Sequence, residues 1–159
     1  MASAPTPDRV VELAANLDDV TAELVGEAAR TLLAEGALDV WTTPIQMKKQ
    51  RPGVMLSVLA REAEARPTAV RMMQLTGSFG VRHRGWERTV LTREIVELPT
   101  RYGAVQIKVG RWEGAVVAAT PEFESCRRLA EAHGTAVRRV MEAARAAAER
   151  WLQDHAEAR

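Results

Sequence analysis

The sequence predicts an α+β fold: a ferredoxin-like βαββαβ core carrying a C-terminal β-hairpin and a helical extension. Three observations point to it. Strand-like apolar runs and helical runs alternate in the order β-α-β-β-α-β through about residue 97. The second and third strands are separated only by a short polar turn, whereas a helix-length segment separates the others. Beyond the last extended stretches, from Glu122 onward, helical periodicity returns and ends in an alanine- and arginine-rich stripe.

The elements follow in order. Arg9 to Leu17, RVVELAANL, groups Val10, Val11 and Leu13 and reads as a buried strand. After Asp18 and Asp19, residues Val20, Leu24, Val25, Ala28, Ala29, Leu32 and Leu33 recur at helical spacing, with Gly36 placed to cap the end. ALDVWTTPI is the second strand, and Pro44 biases Thr43 towards extended geometry. QMKKQRPG turns the chain into VMLSVLAR, Val54 to Arg61, the third strand. A second helix lies within Glu62 to Leu75, with Pro67 in its first turn because an interior proline would break it. TGSFG ends that helix. GVRHRGWERTVLTREIVEL and AVQIKVGRW are extended, and VVAATPEFE is a short strand or loop. EFESCRRLAEAHG is helical to Gly134. A last helix from Thr135 to about Trp151 lines up Val137, Val140, Met141, Ala144, Ala148 and Trp151. The expected division is a flexible tail over 1–8, a ferredoxin-like domain over 9–98, and a C-terminal extension over 99–155 that packs on the core or on a partner subunit.

Composition sets limits. The 159 residues are 47% hydrophobic and 27% charged, an ordinary globular profile. A net charge of +1 argues against a general nucleic-acid binder, so any anion site must be local. Cys126 is the single cysteine, which excludes an internal disulfide and fits a reducing compartment. No apolar run approaches the ~20 residues of a membrane helix, and MASAPTPD does not read as a signal peptide. The expectation is a cytoplasmic protein with no membrane and no nucleic-acid partner. His83, His133 and His155 are scattered, with no Cys/His spacing for zinc or nickel. No P-loop and no Gly-x-Gly-x-x-Gly is present.

Four constellations could carry chemistry. Asn16, Asp18 and Asp19 end the first strand. They either cap the following helix or hold a hard cation such as Mg²⁺, which takes one or two carboxylates plus phosphate oxygens. Lys48, Lys49 and Arg51 crowd the hairpin turn. They either solvate it or hold an anion, lysine as a point charge and arginine as a two-pronged donor. Arg82, Arg84, Arg88 and Arg93, with Glu87 and Glu94, form a charged stretch. On a strand, Arg82, Arg84, Glu87 and Arg88 are expected to project from one edge, for ion pairs across a subunit contact or for phosphate. Glu122, Glu124, Arg127 and Arg128 read as a solvated helix start.

The strings ELAANLDDVTAE, EGALDVWTTPIQMKKQRPGVMLSVLAR, GVRHRGWERTVLTREIVEL, YGAVQIKVGR and ATPEFESCRRLAEAHG occur in this order. Together they resemble the C-terminal domain of the LarC family, the nickel insertion proteins of the nickel-pincer nucleotide cofactor. The resemblance runs from about Val10 to Ala144. It implies a CTP-dependent cyclometallase whose C-terminal domain binds CTP with Mg²⁺ or Mn²⁺ and forms homo-oligomers. The anion awaited by Lys48, Lys49 and Arg51 would then be a triphosphate, with Arg82, Arg84 and Arg88 as further cofactor-binding candidates and Asp18 and Asp19 as its metal ligands. Nickel itself would be bound mainly outside this chain. The family's larger N-terminal part is absent from this sequence; a separately encoded half would supply it, and a reduced homologue with another role is the alternative. Leu75 stands where the resemblance expects an acidic residue. A rival reading of another class is a non-catalytic oligomeric assembly module, without nucleotide turnover.

Overall fold

The structure, a computed structural model, describes residues 8–156, in two compact units that divide between Thr89 and Val90. Both are α+β, each built on its own antiparallel sheet.

The first unit runs β1 (Asp8–Leu17), α1 (Ala22–Ala34), β2 (Asp39–Met47), β3 (Arg51–Arg61), α2 (Ala65–Thr76) and β4 (Arg82–Arg88). Its sheet has the order β2-β3-β1-β4, with every neighbouring pair antiparallel. β1 is therefore interior, which explains why it carries apolar residues on both faces. Alternation sends Leu13, Ala15 and Leu17 of β1 and Leu56, Val58 and Ala60 of β3 to one face. There they bury against Val25, Ala28 and Leu32 of α1 and Ala65, Ala69 and Met72 of α2. Residues of the opposite parity, among them Trp41 and Trp86, occupy the face that these helices do not cover, and both indoles are exposed.

Helix boundaries follow from local chemistry. Thr21 caps α1, its hydroxyl accepting the Leu24 amide at 3.5 Å. Neither Asp18 nor Asp19 is the cap, which corrects that expectation: Val20 and Thr21 lie between the acids and the first helical residue, Ala22. Pro67 does sit in the first turn of α2, where its missing N–H is not needed. Gly77 ends α2 in the left-handed region, φ 72°, with its amide bonded to the Met73 carbonyl. Glu35, just past α1, takes a forked bond from Arg71 of α2 at 2.8–2.9 Å, which holds its carboxyl below the ordinary carboxylate value. Leu75 packs against the core cluster.

The second unit runs β5 (Thr92–Thr100), β6 (Gly103–Trp112), β7 (Ala115–Pro121), α3 (Phe123–Ala132) and α4 (Val137–Ala156). The strands form a β5-β6-β7 meander rather than the expected hairpin. Val105, Ile107 and Val109 of β6 are fully buried against Cys126 and Ala130 of α3 and Val140, Ala144 and Ala148 of α4. The stripe expected on the last helix is thus its core face, and the segment holds a core of its own.

The expected boundary at residue 98 falls inside β5. GVRHRGWERTVLTREIVEL is not one extended element: β4 pairs with β1, β5 pairs with β6, and the chain leaves one sheet for the other across Val90 and Leu91. Of the tail expected over 1–8, residues 1–7 lie outside the described residues, and Asp8 opens β1. Among the described residues no helix is long and apolar enough to cross a membrane.

Candidate functional site

The antiparallel order brings four chain segments to one end of the first sheet. β1 and β2 end there; β3 and β4 begin there. Register places Leu17 opposite Val54, Asn16 opposite Met55, Met47 opposite Arg51, and Arg82 opposite Ala14. Asp18 and Asp19, the turn Lys48–Gln50, Arg51 and Arg82 therefore share that end, though they are far apart in sequence.

Asp18 is mostly buried, its side chain 19% exposed, and accepts a hydrogen bond from Arg51 Nη1 at 3.4 Å. The bond is long and uses one prong of the guanidinium, so other donors remain for a ligand. Asp19 is exposed. Lys48 and Lys49 are exposed and, among the described residues, have no acidic partner within ionic distance. The turn that carries them is strained: Lys49 and Gln50 have φ 60° and 59°, a region costly for residues with a Cβ. Beneath them Gly53 allows a close approach. A Cβ there would lie 2.8 Å from the Leu17 carbonyl oxygen and 2.9 Å from Met47 Sδ. Only glycine lets β3 run this close to the end of β1, and that closeness seats Arg51 beside Asp18.

On the edge strand, Arg82 Nη2 donates to Asn16 Oδ1 at 2.8 Å and touches Met55 Sδ at 3.5 Å. Two residues on, the Arg84 guanidinium lies 4.1 Å from the centre of the Trp86 ring, a cation–π contact. Trp86 Nε1 donates to Glu12 Oε2 at 3.0 Å. Glu12, Ala14, Met55, Arg82, His83 and Arg84 line a cleft of about 360 Å³. Ser57, opposite Ala14 in the register, is buried with no partner for its hydroxyl.

Arg88 does not join this group. It pairs with Asp8 at the far end of β4, six residues and roughly 20 Å from Arg82 at strand spacing. Glu87 has the opposite parity to Arg82, Arg84 and Arg88 and pairs with Arg9 at 3.6 Å, so the four residues do not share one edge as expected. Arg93 and Glu94 lie on β5 in the other unit, where Glu94 pairs with Arg111. Glu122 takes Lys108 at 2.8 Å, and Arg127 binds Glu124 and Glu131 along one helix face, the solvated helix start that the sequence suggests. Cys126 is buried, and burial pushes its thiol above the ordinary value, which makes it a core residue rather than a nucleophile or ligand. Glu12 and Trp86 carry polar contacts that sequence reasoning missed. Their one signal is a charge inside an otherwise apolar strand, and it stays mute until the β1–β4 register is known.

The first unit thus presents carboxylates, lysines and guanidinium groups at a sheet end, a donor set for a phosphorylated ligand with a hard cation. The nickel insertion protein family matches residues 1–141, and the chain belongs to it. Within that family the likeness is to the LarC C-terminal domain. The apo form of LarC2, described as the C-terminal domain of a cyclometallase involved in the synthesis of the NPN cofactor of lactate racemase, matches with a TM-score of 0.85 and 38% identity, covering 91% of this chain and 99% of that one. A Methanopyrus kandleri protein of solved structure matches with a TM-score of 0.61 and 31% identity, covering 92% of each chain. The pyridinium-3,5-bisthiocarboxylic acid mononucleotide nickel insertion protein of Lactiplantibacillus plantarum is 39% identical over 139 residues, 87% of this chain and 33% of that protein. A Myxococcus xanthus relative, named provisionally as a nickel insertion protein, is 47% identical over 133 residues, 84% of this chain and 34% of that one. The chain spans about a third of the length of the curated relatives it matches.

Proposed function

We propose that this chain is the CTP- and divalent-cation-binding C-terminal module of a nickel insertion protein that builds the nickel-pincer nucleotide cofactor. One observation carries the reading: Asp18 and Asp19 share one end of the first sheet with Lys48, Lys49, Arg51 and Arg82, and Arg51 bonds Asp18 there. The residues fit the group in kind. Two carboxylates suit Mg²⁺ or Mn²⁺ when phosphate oxygens and water complete the shell. Among the described residues no three His, Cys, Asp or Glu gather as a metal cage.

Bound there, the cation neutralises phosphate charge. The chain's own groups do the rest. Lys48 and Lys49 draw the polyphosphate in, Arg51 grips it with its spare prongs, and Arg82 extends the positive lining along the edge strand. The Asp18–Arg51 bond is long and half open to water, so parting it for a ligand costs little. Nickel is the cargo, and its ligands belong mainly to sequence corresponding to the other two thirds of the relatives' length, supplied in the same polypeptide or as a separately encoded half. This chain by itself is not expected to turn over. The same reading takes the first unit as ferredoxin-like, which its element order and β2-β3-β1-β4 arrangement support, and takes the protein as a cytoplasmic homo-oligomer.

A thermal-shift panel tests the reading. CTP with Mn²⁺ should raise the melting temperature, since a ligand at 100 times its Kd stabilises by about 2.7 kcal/mol. No shift with any nucleotide would favour a second reading, the non-catalytic assembly module. The sheet face opposite α1 and α2, with its exposed Trp41 and Trp86, supports that alternative.

A further inference from the structure

We propose that the free edge of β4, at the end of the first sheet where β1 begins, is the docking site for the N-terminal part of the longer nickel insertion proteins. The proposal rests on the reading of this chain as a C-terminal module and not on CTP. β4 is an edge strand, so alternate backbone groups along it have no partner in the sheet. All its residues but Arg88 are exposed, and none joins the core under α1 and α2. At its centre stands Gly85, opposite Val11. A glycine there weakens the strand, and nothing in its own chain calls for one. The β1–β4 register runs from Asp8 to Ala14 without a bulge, Gly85 does not have a positive φ, and a Cβ on it would meet nothing within 4 Å. The remaining cause for a mid-strand glycine is the close approach of another backbone.

The surface around Gly85 has room for that approach. Arg9, Val11, Glu62, Gly85 and Glu87 line a cleft of about 280 Å³. By parity Arg9, Val11, Gly85 and Glu87 belong to the helix side of the sheet, opposite to Glu12, Arg82 and Arg84. The half-buried Val11 gives the cleft an apolar floor. Its rim is charged: Arg9 and Glu87 pair loosely at 3.6 Å, both mostly exposed, and Glu62 is exposed and, among the described residues, without an ion pair. An extended segment with an apolar side chain for Val11 and a basic one for Glu62 fits this chemistry, its backbone bonding to β4. The other edge strand, β2, carries Pro44, whose missing N–H blunts that edge. Position names the occupant. This chain covers 34% of the Myxococcus xanthus relative and 33% of the Lactiplantibacillus plantarum protein, and the LarC2 structure is described as a C-terminal domain. The other sequence of those relatives therefore runs ahead of β1. Asp8 pairs with Arg88 in the ladder, so the chain comes into β1 beside the cleft.

Hydrogen exchange read by mass spectrometry tests the docking on three proteins: this chain, the full-length Myxococcus xanthus relative, and the matched third of that relative alone, the kind of domain that LarC2 shows to fold by itself. Peptides spanning β4 should exchange fast in this chain and in the lone third, and at least about tenfold slower in the full-length relative, while the β2 edge behaves alike in all three. Equal β4 exchange in the full-length relative and its third overturns the proposal. So does slow β4 exchange in all three, which means that a second copy of the domain covers the edge. Gly85→Val in this chain is the second check. Valine suits an exposed edge strand, so the melting temperature should hold or rise. A fall of about 5 °C or more means that the fold itself needs the glycine, and overturns the proposal. No nucleotide is present in either measurement, so a failure of CTP binding and a failure of this docking are read apart.

Discussion

Replacing Arg51 by alanine separates a binding role from a structural one, because the two roles differ in size. The guanidinium is 60% exposed and meets Asp18 through a single bond of 3.4 Å. An ion pair this open contributes about 0.2–1 kcal/mol at most. In a chain of this length, a loss of that size lowers the melting temperature by no more than about 4 °C. A charge-assisted contact to a phosphate is worth more, about 1.5–3 kcal/mol, so CTP affinity should fall roughly ten- to a hundredfold. Arg51→Lys keeps the charge and removes the fork. A loss close to that of alanine would mark a two-pronged contact, and near-wild-type binding would mark simple attraction. Calorimetric titration with CTP and Mn²⁺, alongside scanning calorimetry of the free proteins, measures both quantities. CTP binding within threefold of wild type in Arg51→Ala would refute the reasoning, as would a melting point lowered by 10 °C or more.

Other perturbations give outcomes of different kinds. Gly53→Ala would drive a Cβ to 2.8 Å from the Leu17 carbonyl; Met47 can swing away but the β1 backbone cannot, so stability should fall by about 1–3 kcal/mol in denaturant unfolding, with weaker CTP binding as Arg51 shifts from Asp18. Arg88→Ala should leave CTP affinity within twofold of wild type, since Arg88 pairs with Asp8 at the far end of β4. Glu35 is held below its ordinary value of 4.5 by Arg71, so the stability that this pair contributes is present above the unfolded value and lost as pH falls through the folded one. The stability gap between wild type and Arg71→Gln should therefore be open at neutral pH and close as the pH falls through the lowered Glu35 value.

What was legible in the sequence was whatever local chemistry decides. The apolar run of β1, the Gly36 and Gly77 breaks, Pro67 in a first turn and the α4 stripe each reflect a single segment's own constraints. What was not legible depends on pairing. Val90 and Leu91 look like the continuation of one strand; only the partners of β4 and β5 reveal a crossing between sheets, where Leu91 packs on Gly110. Arg82 and Arg88 share parity, and nothing local says that one meets Asn16 while the other is neutralised by Asp8. Glu12 gains its meaning only once β4 lies beside β1 and brings Trp86 to it. Asp18 and Asp19 looked like caps because acids commonly precede helices; Thr21 takes that role and leaves them to the sheet end.

The central claim is that this sheet end binds a nucleotide through a hard cation. Titrating CTP into the protein with Mn²⁺, then repeating with EDTA and with Asp18→Asn, tests it most directly. Binding should be saturable with Mn²⁺ and weaken at least tenfold when the metal is chelated or Asp18 is replaced. Binding that is indifferent to both, or no heat of binding up to millimolar CTP, would contradict it.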